Sequence, residues 1–242
     1  MIPPLVILLP VLLLGGVVST IAGGGLGILL TIAATFFTDV QTSIVLVSLL
    51  GFIIQTVKIA HFWRHTRWDI VRWYVILGIP LSFLGGWLLF VFPPRAIEVA
   101  VALLCIGYCV LDLLPRKKLR VEPTRASLLS AGAVNGIVGG IVGNGALLRG
   151  PALLAFGLTK EQYVGTSSVI AFLLNIGKSS VYVAHFDWSR ETTILLLCAI
   201  PAVAIGVNVG RRVLRYVSPE LFEKILLGIV LIGAVKLLLF PS

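Results

Sequence analysis

The chain has 242 residues, 58% of them apolar and only 12% charged, with a formal net charge of +9 and a mean hydropathy of +1.08. Soluble domains carry about 25% charged residues, so this composition excludes an ordinary soluble domain. Several apolar runs reach the roughly 20 residues that span a bilayer, whereas barrel strands would alternate apolar and polar residues over about 10 positions; the class is an all-α polytopic membrane protein.

Met1-Ile-Pro-Pro carries no basic residue, and the apolar run behind it is too long for the core of a signal peptide, so no typical signal peptide opens the chain. The first segment covers about 2–37 and is interrupted by Gly23-Gly-Gly-Leu-Gly27. Spans at roughly 40–60, 70–92 and 96–114 follow. A polar linker, Pro115-Arg-Lys-Lys-Leu-Arg-Val-Glu-Pro-Thr124, separates them from a fifth segment over about 126–158. The stretch Gly136–Pro151 within it holds six glycines, an asparagine, an arginine and a proline. Glycine and proline destabilise a helix interior, and broken backbone at membrane depth survives only inside protein or against a water-filled cavity. Gly143-Asn-Gly145 and the following Gly150-Pro151 are therefore expected to break the helix outright, while Gly136/Gly140 and Gly139/Gly143 also suit close helix packing. Further spans fall at roughly 162–184, 191–210 and 219–240.

The first and fifth segments are odd in the same way, and short matches recur in the same order. Thr42-Ser43 precedes His61-Phe62 as Thr166-Ser167 precedes His185-Phe186, and Ile79-Pro80 with Gly85 recurs as Ile200-Pro201 with Gly206. The chain reads as a duplication: repeat 1 over 1–114, a linker over 115–125 and repeat 2 over 126–242. Basic loops at 61–72, 115–125 and 211–218 belong in the cytoplasm by the positive-inside rule. All three share one side only if the fifth segment crosses twice or not at all. At 1.5 Å per residue its helix would be about 50 Å long, against a hydrocarbon core of about 30 Å. A re-entrant hairpin bent at the glycines fits best. Each repeat then has one glycine-broken re-entrant segment and three full transmembrane helices, so the second repeat is inverted relative to the first, a recurring transporter design. The expected location is the cell inner (plasma) membrane, with both termini outside and the linker cytoplasmic.

All ten acidic residues fall in loops or near segment ends. A cation path usually places a carboxylate at mid-membrane, so a cation transporter is disfavoured. Deep polar residues are cationic or neutral. Ser48, Gly51, Gln55 and Lys58 share one helix face, and Ser168, Ala171, Asn175 and Lys178 repeat that spacing. With Ser179, Arg149, Asn144, Gly145 and the earlier Gly24 and Gly25, they compose a candidate anion site. Lysine and arginine supply charge, amides and hydroxyls donate, and broken-helix N-termini add free N–H groups. Each has a plainer alternative: snorkelling for Lys58 and Lys178, interhelical hydrogen bonding for the serines and amides, interfacial anchoring for Arg149. His61 and His185 suit packing at an interface or proton coupling.

Gly177-Lys178-Ser179 resembles the end of a phosphate-binding loop, but Phe172 stands where its first glycine is required. Cys105, Cys109 and Cys198 lie in apolar runs and give neither a disulfide framework nor zinc spacing. No cofactor, metal or nucleic-acid partner is expected. The expected partners are a small anion and the lipid bilayer, and a homodimer is a further candidate assembly.

A glycine-rich break, an apolar run, Val164-Gly165-Thr166-Ser167, a polar helix and then His185 together resemble the sulfite exporter TauE/SafE family of membrane permeases. The pattern recurs in both halves, so the likeness covers nearly the whole chain. Two departures stand in the first half, where Thr31 holds the place of Pro151 and Gln41-Thr42-Ser43 replaces the Val-Gly-Thr-Ser motif. The resemblance implies a secondary transporter of two related halves, moving sulfite, sulfoacetate or a related sulfur-containing anion. A channel for a small neutral or anionic solute is the rival reading; no catalytic constellation supports an enzyme.

Overall fold

The computed structural model describes residues 38–113 and 122–190, with Gly27, Thr31, Ala34, Thr35 and scattered positions over 192–239. Gly24, Gly25, most of the first segment, linker residues 115–121 and the basic loop 211–218 lie outside the described residues. Every described element is helical. Helix α1 spans Val40–Phe62, followed by a 3-10 turn at Trp63–His65; α2 spans Trp68–Val91 and α3 Pro94–Leu113. The broken segment is α4 (Arg125–Ile141) and α5 (Ala146–Leu154), and α6 spans Lys160–His185. Three stretches are long and apolar enough to cross a membrane: Val40–His65, Trp68–Val91 and Lys160–His185.

Local chemistry sets the helix starts. Asp39 caps α1, its carboxylate accepting the Thr42 N–H at 2.9 Å and the Thr42 hydroxyl at 2.6 Å, which places negative charge at the positive end of the helix. Thr124 and Ser127 cap α4 reciprocally, each side chain accepting the other's backbone N–H.

The chain divides into two compact units. One comprises Met1–Ile54, Pro94–Cys109 and Phe186–Ser242, the other Gln55–Pro93 and Val110–His185, so each draws on both expected repeats. In the first unit Arg95 donates to the Glu98 carboxylate at 3.0 Å and to the Leu237 and Leu238 carbonyls at 2.7 and 2.6 Å. Glu98 is fully buried beside it.

The second unit is built around α2, which runs between α4 and α6. A Cβ at Gly132 would lie 2.0 Å from the Tyr74 carbonyl oxygen, and one at Gly136 2.5 Å from that of Gly78. A Cβ at Gly140 would lie 2.7 Å from Gly85, so the i, i+4, i+8 glycines of α4 let two backbones touch, as expected for Gly136/Gly140. On the other flank Gly177 of α6 seats against Ser82. Ile70, Val71 and Tyr74 of α2 close a core with Leu128, Leu153, Val169 and Ile170 from the surrounding helices.

The break differs from expectation in extent. It is confined to 142–145, where Gly143 takes φ +77, a conformation suited to glycine. Gly150-Pro151 does not break the helix; Pro151 lies inside α5. An interior proline costs about 3 kcal/mol, and the next two residues, Ala152 and Leu153, are buried in the core, which offsets that cost.

Candidate functional site

After the break the chain turns back on α4. A Cβ at Gly145 would overlap the Asn135 side-chain oxygen, and one at Gly139 would lie 3.1 Å from Gly145 Cα. Ten residues of continued helix would instead separate Asn135 and Gly145 by about 15 Å. Asn135 is itself held by α2, its Nδ2 donating to the Tyr74 hydroxyl at 2.9 Å.

Breaking a helix exposes its last carbonyls, and no water satisfies them in lipid. Two α6 side chains do so. Lys178 Nζ donates to the Gly143 carbonyl and, at 3.4 Å, to that of Gly139. One turn further along α6, the Tyr182 hydroxyl donates to the Gly140 carbonyl. Val142 N–H closes the bond to the Val138 carbonyl at 2.9 Å. An ammonium at a helix C-terminus also meets the negative end of its dipole. Lys178 is thus engaged with backbone, with two of its three N–H groups spent. On the other side of the break, Asn144 Oδ1 accepts the Ala146 N–H at 2.8 Å and starts α5.

Arg149 lies one turn into α5. It is only 5% exposed, and its Nε donates to the Ser167 hydroxyl at 2.9 Å. It has no carboxylate partner among the described residues; the ion pairs there are Arg67–Asp69 and Arg95–Glu98. The charges of Lys58 and Lys178 both interact with that of Arg149, so three cations share one neighbourhood. Asn175 and Ser179 of α6 are 8% and 4% exposed, and Ser179 Oγ has no hydrogen-bond partner among the described residues. The expected α6 face is buried throughout, at Ser168, Ala171, Asn175 and Lys178. On α1, Ser48 is buried, while Gln55 and Lys58 are half-buried.

His61 and His185 stand apart from this cluster. Both are exposed at the ends of their helices, and each pairs Nδ1 with the carbonyl four residues earlier, Val57 at 2.8 Å and Val181 at 3.1 Å. His185 also stacks on Phe90. The two histidines share one local arrangement.

The Val-Gly-Thr-Ser motif has a residue-by-residue account. A Cβ at Gly165 would meet the Phe62 carbonyl at 2.6 Å, Thr166 Oγ1 accepts the Arg67 N–H at 2.9 Å, and Ser167 orients Arg149. Sequence reasoning missed Ser167, Asn135 and Tyr182 as parts of the site. Tyr182 could have been found, because it follows Lys178 at i+4 on one face; Asn135, a lone amide among glycines, carried only the signal of a polar group needing a partner.

Comparison with known proteins agrees with this picture of a membrane protein. The family model described as Sulfite exporter TauE/SafE matches residues 8–237. A Bacillus subtilis (strain 168) protein described as "Probable membrane transporter protein YjnA" is 28% identical over 204 residues, covering 74% of this chain and 78% of that protein. No solved structure matches the chain.

Proposed function

Because the chain belongs to the sulfite exporter TauE/SafE family and is a membrane transporter, we propose that it carries a small sulfur-containing oxyanion, sulfite or an organosulfonate such as sulfoacetate, and that Arg149 is the principal anion ligand. The observation that carries this reading is the burial of Arg149 with a neutral hydroxyl as its partner. A buried ion costs several kcal/mol unless compensated. Here the guanidinium shares its neighbourhood with two lysines and no described carboxylate. A transported oxyanion would supply the missing charge, and guanidinium geometry matches its paired oxygens.

In this reading Lys178 is a positioning residue that holds the α4 carbonyl end, while Asn175 and Ser179 offer neutral hydrogen bonds to the remaining oxygens. The folding back of α5 supports a re-entrant hairpin, with Gly23–Gly27 as its counterpart in an inverted first repeat. Alternating access by movement of one repeat against the other follows from that design.

Sulfite uptake into proteoliposomes tests the assignment. Arg149→Gln should weaken apparent affinity about 10- to 100-fold, the worth of a charge-assisted hydrogen bond of about 1.5–3 kcal/mol, and Arg149→Lys should recover part of it. Unchanged affinity in folded Arg149→Gln would sink the proposal. Saturation and counterflow are expected of a carrier; flux linear in concentration would instead indicate a channel.

A further inference from the structure

We propose that the end of the α2–α4 pair marked by Arg72, Trp73 and Arg125 binds the headgroup of an anionic phospholipid. Arg72 on α2 and Arg125, which opens α4, reach the same indole, their guanidinium carbons 5.8 and 5.1 Å from the Trp73 ring centroid. Both arginines are exposed, and neither has an acidic partner among the described residues. Nearby Arg67, by contrast, is neutralised by Asp69 through hydrogen bonds of 2.9 and 2.7 Å. The indole stabilises the two cations and holds them at one site, and no described carboxylate pairs with either. A phosphodiester is an anion able to bridge two guanidinium groups.

The surface beside them indicates that the phosphate belongs to a lipid. Trp73 packs its body against the core, so the cation pair is anchored to the protein and not to a mobile loop. From Arg72, helical spacing leads to Ile76, Pro80, Phe83 and Trp87, all exposed and on the same face. Ile76 lies one turn, about 6 Å, beyond Arg72, and Trp87 about 22 Å beyond it. An anion-attracting head therefore continues into a long apolar face, the order of groups in a phospholipid. Trp63 and Trp68, exposed with ring centroids 4.8 Å apart, stand at this same end of α2, as tryptophans do at the membrane–water interface. A soluble phosphate would engage the arginines and leave the apolar face unused.

Native mass spectrometry of the delipidated full chain tests the site, using phosphatidylglycerol and phosphatidylethanolamine with identical acyl chains. Phosphatidylglycerol should bind at least about tenfold more tightly. The Arg72→Gln/Arg125→Gln variant should lose that preference while eluting as wild type in size exclusion. Arg64→Gln, which removes an exposed charge near the same end, should keep it. Equal retention of the two lipids, a preference surviving the double substitution, or equal loss in Arg64→Gln would each overturn the proposal. So would displacement by equimolar glycerol phosphate, which would make this a soluble-phosphate site.

Discussion

Removing the Tyr182 hydroxyl isolates the closure of the helix break from the binding of the anion. In Tyr182→Phe the ring remains, so its edge contact with Phe90, at 6.1 Å between centroids, is retained. The Gly140 carbonyl loses its donor. Both residues are buried, so water cannot replace the hydroxyl. An unsatisfied buried acceptor costs about 1–3 kcal/mol. At roughly 2–4 °C per kcal/mol for a chain of this size, the midpoint should fall by roughly 2–12 °C. Thermal unfolding in detergent, followed by tryptophan fluorescence, reads the shift. Lys178→Met removes donors from two carbonyls and should destabilise more, by about 2–6 kcal/mol before any relief from no longer burying an ammonium. Transport per folded molecule should change little in Tyr182→Phe, because the hydroxyl serves the backbone. A Tyr182→Phe protein within about 0.5 kcal/mol of wild type would refute the reasoning, since it would mean the α4 carbonyl end is satisfied without the side chain.

Gly132→Ala places a methyl 2.0 Å from the Tyr74 carbonyl oxygen and should cost at least about 1–3 kcal/mol, seen as lost folded yield. Gly107→Ala meets nothing within 4 Å among the described residues and should be neutral or raise stability by up to about 1 kcal/mol, by the same thermal assay. Arg95→Ala removes one partner of the buried Glu98 carboxylate and the donor to two carbonyls and should destabilise by about 1–3 kcal/mol; Arg95→Lys should recover only part. In a cysteine-free background, Lys117→Cys and Arg212→Cys should label from one side of the membrane; labelling from opposite sides would contradict the hairpin topology.

Hydropathy and punctuation made much of the fold legible before any coordinates. Spans read at 40–60, 70–92, 96–114 and 162–184 correspond to helices at Val40–Phe62, Trp68–Val91, Pro94–Leu113 and Lys160–His185. Apolar runs of bilayer length have few alternatives to helix, because lipid offers their backbone no other partner. The polar face of α6 was legible for a related reason: a period of 3.6 places Ser168, Asn175 and Lys178 together whatever packs against them.

Composition alone marked Gly136–Pro151 as the place where the helix fails, since so many glycines and a proline cannot favour an unbroken one. Where it fails was a tertiary decision. Gly143 turns, yet Gly150-Pro151 stays helical because Ala152 and Leu153 gain a buried place that local propensity cannot weigh. The roles of the polar side chains were likewise decided by partners far away in the chain. Lys178 reads from sequence as an anion ligand, but it meets carbonyls 35 and 39 residues earlier and becomes a helix cap. Arg149 is set by Ser167 on another helix, and Asn135 by Tyr74, 61 residues before it. A sequence can state that a buried donor must find an acceptor; only the packing of α2, α4 and α6 determines which acceptor comes within reach.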